Sequence, residues 1–142
     1  QIFLGVWTST NYASLACADF PTCQGSFLPE MDFKSGFDLN QEVGPNYLYG
    51  LLDNPARVAI HYTHRISAIL VTIIFLILMS RLWFSDAAPL ASTLGILLLT
   101  QITLGIINVV KVLPLYVAIA HNLVAACLLL ATFTVNYLAW KK

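Results

Sequence analysis

Ala59-Ile60-His61-Tyr62-Thr63-His64-Arg65-Ile66 opens an apolar run whose centre extends to Met79 and which meets no further charge until Arg81. About 20 apolar residues suffice to cross a bilayer as a helix, so 57–83 reads as a membrane span. Asp53 or Asn54 is placed to cap it, Pro55 suits its first turn, and Arg81 with Trp83 closes it. Two of the three histidines and an arginine stand at its mouth. Ionisable groups are costly at membrane depth and mark function there.

The rest of the chain agrees with a membrane setting. It is 58% hydrophobic and 10% charged, with mean hydropathy +0.77, whereas a soluble domain carries about 25% charged residues. Net charge is zero, which excludes nucleic acid as a partner and leaves membrane lipid. Two more spans follow, 89–110 with Pro89 near its start and 115–140 after Pro114, closing on Trp140-Lys141-Lys142. Residues 1–8 read as the end of a further membrane helix, with Trp7 in the interfacial aromatic belt. The chain begins at Gln1, inside an apolar run, with no initiator Met and no signal-peptide pattern. It is therefore expected to be a fragment of a longer polypeptide.

Residues 9–56 form a polar loop punctuated by Gly25, Pro29, Gly36, Gly44-Pro45, Gly50 and Pro55. Such turn chemistry predicts an irregular cap with short helices at most. Phe20, Phe27, Phe33, Phe37, Tyr47 and Tyr49 are expected to pack on one another or on the membrane surface. Arg81, Lys141 and Lys142 collect at one end of the spans, which the positive-inside rule places in the cytoplasm. Lys34, Arg57 and Lys111 lie at the other end, so charge alone is nearly balanced. Cys17 and Cys23 help to decide, since an outer loop lies where disulfides persist. They read as a local disulfide or as a reactive thiol pair. Cys127, amid Leu and Ala, reads as a small buried apolar residue.

Gln1-Ile-Phe-Leu-Gly5 recurs as Gln101-Ile-Thr-Leu-Gly105, and His64-Arg-Ile-Ser-Ala68 recurs loosely as His121-Asn-Leu-Val-Ala125. The order is the same both times, which points to two related hairpins and a pseudo-symmetric four-helix bundle. At 1.5 Å per residue, His64 and His121 each lie roughly 10 Å into their helices. Both helices run inward, so the pair suits the two axial ligands of one haem, a group that bundle cores commonly hold. Two packing histidines are the plainer alternative. A three-histidine zinc or copper site adding His61 is the weaker one, because no acidic residue lies between Asp53 and Asp86. Arg65 is placed for a haem propionate or for snorkelling to headgroups. Gln101, Asn108, Asn122 and Asn136 are expected to bond across helices, or in the case of Asn122 to touch the cofactor. Gly95 and Gly105 allow close helix approach.

Asn11-Tyr-Ala-Ser-Leu-Ala-Cys17-Ala-Asp-Phe-Pro-Thr-Cys23-Gln-Gly25, Pro29-Glu-Met-Asp-Phe33, Gly44-Pro-Asn-Tyr47, His61-Tyr-Thr-His-Arg65 and Ala120-His-Asn122 together resemble the haem A synthase family, in the second half of its bacterial form. The resemblance covers essentially the whole chain. It implies eight membrane helices in two four-helix halves, each with a histidine pair, in a bacterial cytoplasmic membrane. It implies oxidation of a methyl group of haem O to the formyl of haem A for cytochrome oxidases. This chain would be the haem b half, with its first helix truncated, His64 and His121 as iron ligands and Cys17–Cys23 as an outer-loop disulfide. Haem O and haem A would belong to the other half; haem O synthase and a second copy of the chain are further partners of such an enzyme.

One departure bears on the chemistry. The first-half motif of that family carries a Glu three residues before its His-Arg, where this chain has His61. The resemblance thus assigns no catalytic residue here, and the chain alone is expected to be inactive. Two rivals remain: a b-type electron-transfer cytochrome, and a cofactor-free assembly subunit. An upstream Glu-x-x-His-Arg motif would distinguish the synthase from the first, and a colourless protein would identify the second.

Overall fold

The computed structural model describes residues 1–40, 50–85 and 87–141. Gly44, Pro45, Tyr47, Tyr49, Asp86 and Lys142, singled out above, lie outside the described residues. The architecture is all-α: α1 Ile2–Thr10, α2 Phe33–Gly36, α3 Asn54–Trp83, α4 Ala88–Val110 and α5 Leu115–Trp140. Among the described residues the extended pairing is a single isolated bridge, Cys23 with Ser26. α3, α4 and α5 are each long and apolar enough to cross a membrane. α3 starts at Asn54 rather than at 57, with Pro55 in its first turn. Pro114 stands in extended conformation immediately before α5.

The apolar side chains of these helices are largely on the outside. Ile69, Leu70, Ile73, Ile74 and Ile77 of α3 are all exposed, as a bilayer solvent allows. Backbone and hydroxyl groups are satisfied internally, as lipid demands. Thr93, Thr100, Thr103, Thr132 and Thr134 each donate to the carbonyl four residues earlier on their own helix. Asn136 does the same, its Nδ2 donating to Thr132 O at 2.9 Å. It does not bond across helices as expected, because a neighbouring carbonyl is always within reach while a partner helix is not.

The chain divides into two compact units, one of residues 1–68 with 109–113 and one of 69–108 with 114–142. In the second, Leu94 and Leu98 of α4 meet Leu128 and Val135 of α5, with Phe75, Leu78, Met79 and Leu82 of α3 against them. Leu128 and Val135, seven residues apart, mark the buried stripe of α5. Cys127 lies beside that stripe and is exposed, which corrects the buried position expected for it.

In the first unit, Cys17, Cys23 and Val58 form a core with Ala16, Met31 and Tyr62. Asp32 caps α2 through Ser35 N at 3.1 Å, and its own N–H donates to Pro55 O. Trp7 Nε1 donates to Gly36 O at 2.9 Å, tying α1 to α2. Gly36 lies against the start of α3 so closely that a Cβ there would sit 2.7 Å from Ala56 O. Backbone cannot swing aside as a side-chain tip can. Gly36→Ala is therefore expected to destabilise this unit by about 2 kcal/mol, read as a lower thermal midpoint in detergent. An unchanged midpoint would mean that α2 is free to move off α3.

Candidate functional site

The loop after α1 is closed by the Cys17–Cys23 disulfide, the pairing expected of those residues, and contains a cis bond at Phe20–Pro21. Asp19 organises its interior. Its carboxylate accepts from the Thr22 hydroxyl, from Gln24 N at 2.6 Å and from Gly25 N at 3.0 Å. Gly25 is at φ +76°, a left-handed turn position that suits glycine. These donors, Thr22 foremost, hold the Asp19 carboxyl down at about 2. Asp32 is lowered too, chiefly by Ser35. A depressed carboxyl stabilises the fold above its unfolded value and loses that contribution as pH falls through its folded value. Loop stability should thus fall from about pH 4 towards pH 2, and Asp19→Asn should flatten most of that slope. Acid titrations of thermal midpoint for both proteins test this; equal slopes would dismiss the Asp19 carboxylate as the anchor.

Arg65 of α3 grips the same loop. Nη1 donates to Thr22 O at 2.8 Å, and Nη2 donates to Cys17 O at 2.8 Å and Asp19 O at 2.9 Å. Phe20 lies with its ring centroid 5.8 Å from the guanidinium carbon. Both terminal nitrogens are thus taken up by loop backbone, and Nε is buried without a partner among the described residues. Tyr62, three residues earlier, donates its hydroxyl to Phe27 O at 2.6 Å.

His61 is buried, and its Nδ1 lies 3.0 Å from Ala13 O. A carbonyl accepts only, so Nδ1 carries the proton. That bond takes His61 into the packing of the loop. Among the described residues no group of three or more His, Cys, Asp or Glu is placed to hold a metal.

His64, in the first unit, is half-buried on α3. The backbone of Gly5 in α1 comes so near its ring that an added Cβ would lie 3.3 Å from Cε1. Gln1 Nε2 donates to His64 O at 3.2 Å. His121, in the second unit, is half-buried on α5. Gln101 Nε2 lies 3.1 Å from its Nε2, and a Cβ on Gly105 would lie 3.2 Å from its Cε1. An amide nitrogen donates only, so His121 Nε2 accepts and its proton sits on Nδ1, buried without a partner among the described residues. Asn122 is exposed, and Asn108 Oδ1 is buried and unpartnered among the described residues.

Imidazole is a common ligand of haem iron, and each of these rings is a candidate for that role. The neutral imidazole is the ligating form, and His121 is in it, with its Nε2 lone pair taken up by the Gln101 amide, which a metal would displace. Each ring also lies in a cradle that a side-chain carbon would fill. Gly5 was not singled out in the sequence as a partner of His64; the repeated Gln-x-x-x-Gly spacing was the signal that could have found it.

Residues 1–133 match the model of the COX15-CtaA family, described as cytochrome oxidase assembly protein. The chain belongs to this family. It is similar along its whole length to the heme A synthase of Shewanella oneidensis, at 44% identity over 143 residues and 43% of that protein. It is 33% identical to the heme A synthase of Methylobacterium radiotolerans over 132 residues, 91% of this chain and 34% of that protein. The heme A synthase of Rickettsia massiliae is 32% identical over 133 residues, 91% of this chain and 36% of that protein. The chain thus spans less than half the length of these curated relatives, and it matches their C-terminal portion. No solved structure matches. As a member of the cytochrome oxidase assembly family with three bilayer-length helices, it is a multi-pass membrane protein.

Proposed function

We propose that this chain is the haem-b-binding C-terminal half of a haem A synthase, whose other half oxidises the methyl group of haem O to the formyl of haem A. His64 and His121 are the iron ligands. The observation that carries the reading is the repetition, once in each unit, of a histidine packed against a glycine of a Gln-x-x-x-Gly helix face. A bound haem b supplies reversible one-electron chemistry, with its potential tuned by axial ligands and burial.

The chain's own residues do the rest. Gln101, by donating to His121 Nε2, keeps that nitrogen unprotonated and would yield its lone pair to the iron. The bilayer-facing apolar helices exclude water. Arg65 joins the turn of α3 that carries His64 to the disulfide loop, which faces the outside of a bacterial cytoplasmic membrane. His61, where a catalytic half would have a carboxylate, is engaged with Ala13 O and leaves this half without an acid for methyl oxidation. Its role is to relay electrons to or from the other half.

The test is the absorption spectrum of the purified full-length parent, oxidised and dithionite-reduced. Sharp low-spin b-type bands are expected, and a colourless parent overturns the reading. The relay has its own test: a His121→Ala parent that lacks haem b yet turns over at the wild-type rate would exclude it.

A further inference from the structure

We infer that Gly5 and Gly105 are positioning residues, each leaving a gap in a helix face that sets the plane of one imidazole, His64 for Gly5 and His121 for Gly105. Glycine in a membrane helix is ordinarily read as an allowance for close helix approach. Here the nearest non-local atoms to the missing side chains are ring atoms. A Cβ on Gly105 would meet His121 Cε1 at 3.2 Å and Nδ1 at 3.8 Å, and one on Gly5 would meet His64 Cε1 at 3.3 Å and Nε2 at 3.9 Å. The first contact of each pair is tighter than ordinary van der Waals approach, so either ring would have to turn or withdraw.

The glutamines complete the arrangement. Gln101 and Gly105 are four residues apart and share a face of α4; Gln1, the N-cap residue of α1, stands at the same spacing from Gly5. In both cases the glutamine bonds the histidine that its glycine admits, Gln101 through the ring at 3.1 Å and Gln1 through the backbone carbonyl at 3.2 Å. The rings differ in which nitrogen lies nearer the glycine, Nδ1 in His121 and Nε2 in His64. The same helix face therefore serves two ring settings.

Gly95 provides a comparison on α4. A Cβ there would meet Met79 Sδ at 3.4 Å, the flexible part of a side chain far from either histidine in sequence.

The consequence for a metal rests on the reading of His64 and His121 as haem ligands, and the experiment separates the two. Gly5→Ala, Gly105→Ala and Gly95→Ala are made in the full-length parent. The low-spin electron paramagnetic resonance signal of the oxidised haem and the haem affinity are measured. Residues that orient a metal ligand typically change affinity 10- to 100-fold when altered. Gly5→Ala and Gly105→Ala are expected to shift the g-values and to weaken haem binding by about 10-fold, with Gly95→Ala unchanged. Wild-type signal and affinity in both overturn the inference.

If Gly105→Ala does not accumulate, Gly105→Ala with His121→Ala is made. Restoration to the level of His121→Ala alone supports the cradle, and continued absence overturns it. If the wild-type parent holds no haem that depends on His64 or His121, the ligand reading fails by itself. The cradle is then judged by thermal midpoints of the same double-mutant cycle, where additive effects at 105 and 121 overturn it.

Discussion

His64→Ala and His121→Ala in the full-length parent are each expected to remove the low-spin b-type spectrum, with haem affinity falling by at least about 10-fold. His64 and His121 would each give the iron one imidazole nitrogen, and a low-spin centre would need both. The two losses should nevertheless differ. His121 is bonded through its ring to Gln101, so its removal also leaves the Gln101 amide, already short of a partner at Oε1 among the described residues, facing an apolar gap. His64 is tied to Gln1 through its backbone, and that bond survives the change to alanine. Free imidazole should therefore restore the spectrum of both variants in part, and the stability of His121→Ala more than that of His64→Ala. A low-spin spectrum that persists in either variant would remove that histidine from the iron.

Arg65→Ala is expected to release the disulfide loop from α3. Three loop carbonyls lose a charged donor, and hydrogen bonds to charged groups contribute about 1.5–3 kcal/mol each. Partial exposure lets water replace some of that, so the net cost is about 3 kcal/mol for the three together. That corresponds to about a 100-fold rise in the open population, read as faster proteolysis within the loop in the detergent-purified parent. Arg65→Lys should recover only part of the protection, because an ammonium cannot span three carbonyls in the plane of a guanidinium. Unchanged proteolysis together with a changed haem spectrum would return Arg65 to the propionate role read from its position in the sequence.

The outline of the fold was legible because membrane spans are written locally. Runs such as Ile66–Met79 need no partner to be recognised, and Pro114 marks the start of α5 through its own backbone restriction. The Cys17–Cys23 disulfide was legible for a similar reason, since five intervening residues keep the thiols within reach of each other. Cys127 was misread because burial on a helix depends on which side a neighbour covers, and on α5 that side runs through Leu128 and Val135. The histidines could be singled out by residue type and depth, yet what holds each of them could not.

By itself, then, the sequence determined an all-α membrane chain with three spans, a disulfide-closed loop and two histidines early in their helices. Tertiary structure alone decided that Arg65 grips loop carbonyls, that His61 is taken up by Ala13 O and that Gly5 and Gly105 admit the two imidazoles. The physical reason is the range of the interaction. Hydropathy acts residue by residue and survives in one dimension. Arg65 and Thr22 are 43 residues apart and Gln1 and His64 are 63 apart. Their partners are backbone groups that every residue carries, so only the packing of helices selects which carbonyl, or which missing side chain, a given ring or guanidinium meets.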